Sequence, residues 1–268
     1  MAWIQRISRL DQSRKEDFYR IIIPPSLYHG FGISPLSFCD RNGAKVVRFF
    51  CPQGDRTCLV EIKIEGMEDP LYSIQLSDSP DPTMIEWDFL IVNDPASPKF
   101  NTHIDQEGKD TMFGWASRNI PEEEKAMETG YFPGQVRKGL GLTREVVRVL
   151  DFFCLLLDIK SIKLEALFYH NAVTYERQGF GYFKGYKQMK KIHELFRPGG
   201  ELFKKMDRST PFRKPEFAQT VRGRSWAIHD GILKEIDDDL FEEGWSSPVM
   251  YRMVEKPRSM TTFPDPVY

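Results

Sequence analysis

Two glycines, Gly139 and Gly141, stand at the head of an amphipathic stretch in the segment YFPGQVRKGLGLTREVV. Glycine lets a backbone come close to a ligand. The unpaired N–H groups of a helix start, with the positive end of its dipole, favour an anion. Arg137 and Lys138 add positive charge beside the same spot. A pyrophosphate suits that arrangement, and a tight turn ahead of a helix is the plain alternative. The chain carries neither GxxxxGKS/T nor a complete GxGxxG, so another phosphorylated ligand such as a nucleotide ranks below it.

Proton-transfer groups lie on either side of this loop. In MIEWDFLIVND, Glu86 and Asp88 are two apart, so a strand puts them on one face with Trp87 and Phe89 on the other. Glu165, on a second strand-like segment, reaches the same region. Each carboxylate is either a general base or one charge on a solvated sheet face. His170 and His103 are further proton acceptors; His170, at a strand end, reads most simply as hydrogen-bonded. Tyr175 offers a phenol with an ordinary pKa near 10, able to donate to a leaving group, or else a ring packed in the core. The basic stretch KGYKQMKK reads as a solvated helix face.

The elements that must hold these residues are legible from periodicity. KVVRFF, CLVEIKIEG, LYSIQLS and MIEWDFLIVND alternate apolar and polar residues and are joined by short Gly- or Pro-bearing turns, which predicts an antiparallel meander. LTREVVRVLDFFCLLLDI repeats apolar residues at three and four and predicts a helix. KSIKLEALFY then reads as a strand, so strand, loop, helix and strand make a βαβ unit with the two strands parallel. Helices follow at 171–178 and 184–197. At the start, a short strand at 3–7 precedes a helix capped by Asp11 or Ser13 and stopped by Pro24 and Pro25. Residues 26–43 read as loop, 201–217 as an exposed basic segment, and SWAIHDGIL and SPVMYRMVEK as the final strands. The span 95–134 has little periodicity and is a functional lid or a mobile insertion.

Composition narrows the classes. The 268 residues carry a net charge of −2, which gives no general attraction to nucleic acid. Cys39, Cys51, Cys58 and Cys154 form no CxxC and no zinc pattern, so no metal is expected; Cys51 and Cys58 flank a turn and face each other across a hairpin, or are simply reduced thiols. No apolar run reaches membrane-spanning length, and the charged N-terminus lacks a signal-peptide core, so a cytoplasmic, soluble protein is expected.

The segment VRKGLGL at 136–142 resembles the pyrophosphate loop of the Gcn5-related N-acetyltransferase (GNAT) superfamily, with Val136 where the family has Gln or Arg. NAVTYERQGF at 171–180 is similar to the family's asparagine followed by a YEKLGF-like segment, with Asn171 closer to Tyr175 than usual. The resemblance covers about 84–182. It implies an α/β fold of mixed character: a central mixed, mostly antiparallel sheet with one parallel, splayed strand pair and flanking helices. It implies a core over 1–183 with an insertion at about 95–134 and an extension over 184–268. The implied reaction is direct transfer of an acetyl or other acyl group from acyl-CoA to an amine, small molecule or protein. Backbone near Ile91 and Val92 would pair with the pantetheine arm. Amides of Arg137, Lys138, Gly139, Leu140, Gly141 and Leu142 would bind the pyrophosphate, with Val136 and Thr143 also in the implied cofactor site. Asn171 and Tyr175 complete the implied cofactor contacts. Tyr175 would protonate the thiolate, and Glu86, Asp88 or Glu165 would serve as base. A non-catalytic acyl-CoA-binding module on the same fold is the alternative. The acyl chain, the acceptor and any homo-oligomer stay open.

Overall fold

The structure is a computed structural model that describes residues 3–114 and 116–268. In chain order, α1 (Trp3–Ile7), α2 (Gln12–Tyr19) and α3 (Pro25–Phe31) precede four strands: β1 (Val47–Phe50), β2 (Thr57–Ile62), β3 (Tyr72–Asp78) and β4 (Met84–Val92). After α4 (Ile120–Glu128) come α5 (Thr143–Leu156), β5 (Ser161–Glu165), α6 (Tyr169–Arg177) and β6 (Gly181–Lys184). The remaining elements are α7 (Tyr186–Leu195), α8 (Glu201–Lys204), α9 (Val221–His229) and β7 (Val249–Met253). The strands form one mixed sheet in the order β1-β2-β3-β4-β5-β7-β6. Successive pairs from β1 to β4 are antiparallel, and β4 with β5 is parallel. The meander and the βαβ unit both form, in a mixed α/β architecture. Among the described residues, no helix is long and apolar enough to cross a membrane.

The chain divides into two compact units, each drawn from three stretches. The first comprises Met1–Ala96, Gly139–Leu164 and Tyr251–Pro257. Its sheet buries alternate residues, as Cys58, Val60 and Ile62 do on β2. The buried stripe of α5 is Val146, Val147, Leu150, Phe153 and Cys154, spaced for one helical face. Phe153 stacks on Tyr19 of α2, ring centroids 6.1 Å apart. Removing such a buried ring costs about 3–5 kcal/mol, so this contact matters to the unit's stability.

Two local expectations change here, and one alternative is decided. Residues 3–7 are helical, because the Asp78 carboxylate accepts from the amides of Ile4 and Gln5 (both 2.9 Å) and supplies a cap from outside the segment. Asp11 is the cap of α2, accepting from Arg14 N at 3.0 Å. Pro25 begins α3 rather than ending a helix, since a first helical residue needs no N–H. Gly32, at φ 63°, closes α3 in the left-handed region.

The second unit comprises Ser97–Lys138, Glu165–Met250 and Arg258–Tyr268. Its core gathers Ala126, Met127 and Tyr131 with Phe212 and Trp226. Trp226 Nε1 donates to the Tyr131 carbonyl at 2.8 Å, and its ring stacks on Phe212 at 5.2 Å. Charged residues reinforce this packing. Arg118 bonds Glu123 and Asp230, Arg213 bonds Asp230 and Glu235, and His229 Nε2 meets Glu123 Oε1 at 3.1 Å. The connection after β4 therefore contains a helix and contributes to a core with residues far along the chain.

Two further expectations change in this unit. Residues 225–233 are not a strand: Thr220 caps α9 by accepting from Gly223 N (2.9 Å). Nearly every residue of α9 is buried, so no apolar stripe betrays the helix. The basic segment 201–217 is only partly exposed, with Leu202, Met206, Phe212 and Arg213 buried.

Candidate functional site

The feature that shapes the first unit is an irregularity in β4. Gln75 pairs with Phe89, yet its neighbour Leu76 pairs with Trp87, so Asp88 is an extra residue bulged out of the ladder. A bulge bends its strand and re-aims side chains. β4 pairs with β5 only over Met84–Trp87. Past the bulge, β4 keeps β3 on one side and, among the described residues, meets no strand on the other until the Asn93–Gly139 bridge. Asn93 is itself fixed, donating to Leu71 O and Pro70 O at 2.9 Å each. The edge at Leu90, Ile91 and Val92 can accept an extended ligand as an added strand.

The Asn93–Gly139 bridge carries the chain into α5. Gly141 has φ 71°, a left-handed conformation that glycine adopts without strain, and open space where a side chain would begin. Leu142 is the N-cap residue and supplies no side-chain cap; the first internal bond runs from Val146 N to Leu142 O. Thr143 therefore starts the helix without capping it, and the amides of the first turn stay available for an anion. Glu145 in that turn would oppose an anion, but Ser26 engages its carboxylate through N (2.9 Å) and Oγ (2.5 Å).

The carboxylates differ in their surroundings. Glu86 is paired with Lys163 Nζ at 3.1 Å across the parallel register. Asp88 is solvent-accessible and accepts from Ser77 Oγ (2.9 Å) and Gln75 Nε2 (3.4 Å). Its pKa is raised, first by partial loss of hydration and then by repulsion from Glu86, against the pull of those two bonds. Glu165 is exposed at the end of β5. Asp88 keeps the face of Glu86, since it bonds the side chains of Ser77, the partner of Glu86, and Gln75. The face count restarts beyond the bulge, so Phe89, opposite Gln75, no longer shares the face of Trp87.

Several expected ligand contacts are occupied structurally in the second unit. The Val136 carbonyl accepts from Phe100 N (2.9 Å). Arg137 Nη1 donates to Ser97 O (2.7 Å), and Lys138 N donates to Ser97 Oγ (3.1 Å). Ser97 was not legible as their partner, lying about 40 residues earlier, and the local motif gives no signal for it. Asn171 Oδ1 accepts from Phe168 N at 3.2 Å, so it caps the start of α6. Leu140 is half-buried beside the bridge residue.

Tyr175 packs against Phe180 at 5.5 Å, and burial pushes its pKa up to about 12. It stays protonated at neutral pH, as an acid must, but donates less readily than a free phenol. His170 is buried, bonded through Nδ1 to Ser225 Oγ (2.9 Å) and sandwiched by Phe132 (4.5 Å) and Phe168 (5.6 Å). Burial, then repulsion from His229, holds its pKa down at about 3, which makes it a structural imidazole and a poor base. His103 is exposed. Among the described residues, no group of three His, Cys, Asp or Glu side chains could hold a metal.

Comparison with known proteins finds no match among family models, curated proteins or solved structures. The site's own chemistry is what bears on function.

Proposed function

We propose that this protein is a CoA-dependent acyltransferase of the GNAT kind, moving an acetyl or other acyl group directly to an amine. The observation that carries the reading is the parting of β4 from β5 at the Asp88 bulge, beside the uncapped start of α5. An extended, amide-bearing pantetheine arm suits an open strand edge, and a pyrophosphate suits free helix amides. Asp88 is the preferred base among the three carboxylates, since Glu86 already neutralises Lys163. In the reaction the amine nitrogen attacks the thioester carbonyl, and its proton passes to Asp88 directly or through water. The C–S bond then breaks, and the thiolate takes the proton that the resemblance assigns to Tyr175.

A second reading has three observations in its favour. Arg137 and Asn171 are spent on internal hydrogen bonds, and Tyr175 is a weakened acid. A binding module that holds acyl-CoA without turnover would tolerate all three.

Calorimetric titration with acetyl-CoA and longer acyl-CoAs tests the shared premise, with Thr143→Glu as the control. A carboxylate in the first helical turn complements the dipole, so the fold should hold while a pyrophosphate is repelled. Binding that is lost in the variant supports both readings, and thiol release with an amine panel then separates enzyme from module. A folded protein that binds no acyl-CoA refutes both.

A further inference from the structure

The first unit contains a buried sulfur cluster that the proposed reaction does not use. β1 and β2 pair with Phe50 opposite Leu59, so continuing the register by one residue sets Cys51 opposite Cys58. Lys63 N donates to Val46 O at 3.0 Å, which makes that pair a hydrogen-bonded one. Pair types alternate along an antiparallel ladder, so Cys51 and Cys58 occupy a non-hydrogen-bonded position, where Cα atoms lie about 4.5 Å apart. That span falls inside the range a disulfide bridges. The two thiols are free and buried.

Their surroundings favour a thiolate on one sulfur. Cys51 Sγ is bonded to Tyr19 Oη at 3.4 Å, and Lys15 Nζ, itself buried, donates to the Cys51 carbonyl at 3.1 Å. The Cys58 thiol donates to Cys51 and draws its pKa down; burial opposes this, and Tyr19 and Lys15 add to it, leaving about 7. Burial pushes Cys58 the other way. Cys51 is 8% exposed and Cys58 1%, so Cys51 is the less enclosed of the two.

We propose that Cys51 and Cys58 form a peroxide-reactive dithiol, with Cys51 the attacking sulfur and Cys58 the resolving one. The Cys51 thiolate attacks the O–O bond of a hydroperoxide, breaking it and releasing hydroxide or alkoxide, which takes up a proton. The resulting sulfenic acid is then attacked by Cys58 sulfur. An S–S bond forms, the S–O bond breaks, and water leaves with the Cys58 proton. Two electrons pass from the two sulfurs to the peroxide, and a thiol reductant reverses the change. Oxidation also removes the S–H that Cys51 donates to Tyr19 Oη, and the Tyr19 ring stacks on Phe153 of α5.

The test uses the intact chain, reduced, freed of reductant, exposed to a modest excess of hydrogen peroxide, then alkylated and digested for mass spectrometry. The expected product is a Cys51–Cys58 peptide lighter by two hydrogens, restored by dithiothreitol. In a Cys58→Ser variant, dimedone should label Cys51. Cys39 is the internal control: it is more exposed, but its S–H is donated to Ser37 O at 3.4 Å. Between pH 6 and pH 8 the oxidation rate should rise about tenfold, following the thiolate fraction. Tyr19→Phe, which keeps the ring and loses the hydroxyl, should move that profile to higher pH. Recovering Cys51 and Cys58 both as free alkylated thiols, while Cys39 is oxidised, overturns the proposal. That analysis needs no variant to fold and is indifferent to whether acyl-CoA binds.

Discussion

Mild acid should destabilise the second unit through His170. In the unfolded chain this imidazole takes a proton near pH 6.5. In the folded chain, burial and the neighbouring His229 hold its pKa down at about 3. Between those values the unfolded state binds one more proton than the folded state. The stability present above the unfolded pKa is therefore lost as pH falls toward the folded one, at up to about 1.4 kcal/mol per pH unit. From about pH 6.5 to about pH 4.5 the loss is about 2–3 kcal/mol, a large part of a domain's stability. His170→Gln keeps a polar group toward Ser225 and has nothing to titrate. Urea unfolding of both proteins at the two pH values isolates the effect, since every other titration is common to them. The wild type should lose about 2–3 kcal/mol more than the variant over this interval. Parallel losses would refute the reasoning and show that the folded imidazole accepts protons freely, which would return it to the list of candidate bases.

Asp88→Asn should leave acyl-CoA affinity intact and lower kcat/KM for amine acylation by about 100- to 10,000-fold in a thiol-release assay. Trp226→Ala should destabilise the second unit by about 3–5 kcal/mol in chemical denaturation, whereas Trp226→Phe, which keeps the stack on Phe212 but strips the Tyr131 carbonyl of its donor, should cost about 1–3 kcal/mol. Gly134→Ala sets a Cβ 2.5 Å from Phe168 Cε2 at φ 78°, while Gly66→Ala at φ 81° meets open space. Both should lower the thermal midpoint, the first by clearly more because Phe168 must move as well.

The sheet was readable because half-buried strands alternate, and α5 because its apolar residues recur at helical spacing. The bulge at Asp88 was not, since an extra residue leaves the alternation intact up to Trp87 and shows only in the pairing with β3. Trp3–Ile7 looked like a strand because five residues cannot distinguish the periods, and the cap that decides it comes from Asp78. α9 was missed because burial on all sides erases the stripe. Within the site, the glycine loop was legible as a local motif. The diversion of Arg137 to Ser97 and of Asn171 to Phe168 was not, because hydrogen-bond partners are chosen by the folded geometry rather than by the motif.

The interleaving of the two units has a kinetic consequence. Trp226 closes on Tyr131 across 95 residues and Arg118 on Asp230 across 112, so the second unit's core cannot form from a short nascent chain. The first unit waits too: Arg252 reaches back 101 residues to Asp151, and Val254 N donates to Lys160 O. Such contacts require large loops to close before anything compensates their entropy, which slows folding and prolongs exposure of apolar strands. A chain interrupted before residue 249 lacks β7 and those tethers to α5 and Lys160. Refolding from denaturant should accordingly be slow and aggregation-prone, and a chaperone that shelters the open β4 edge would speed it most.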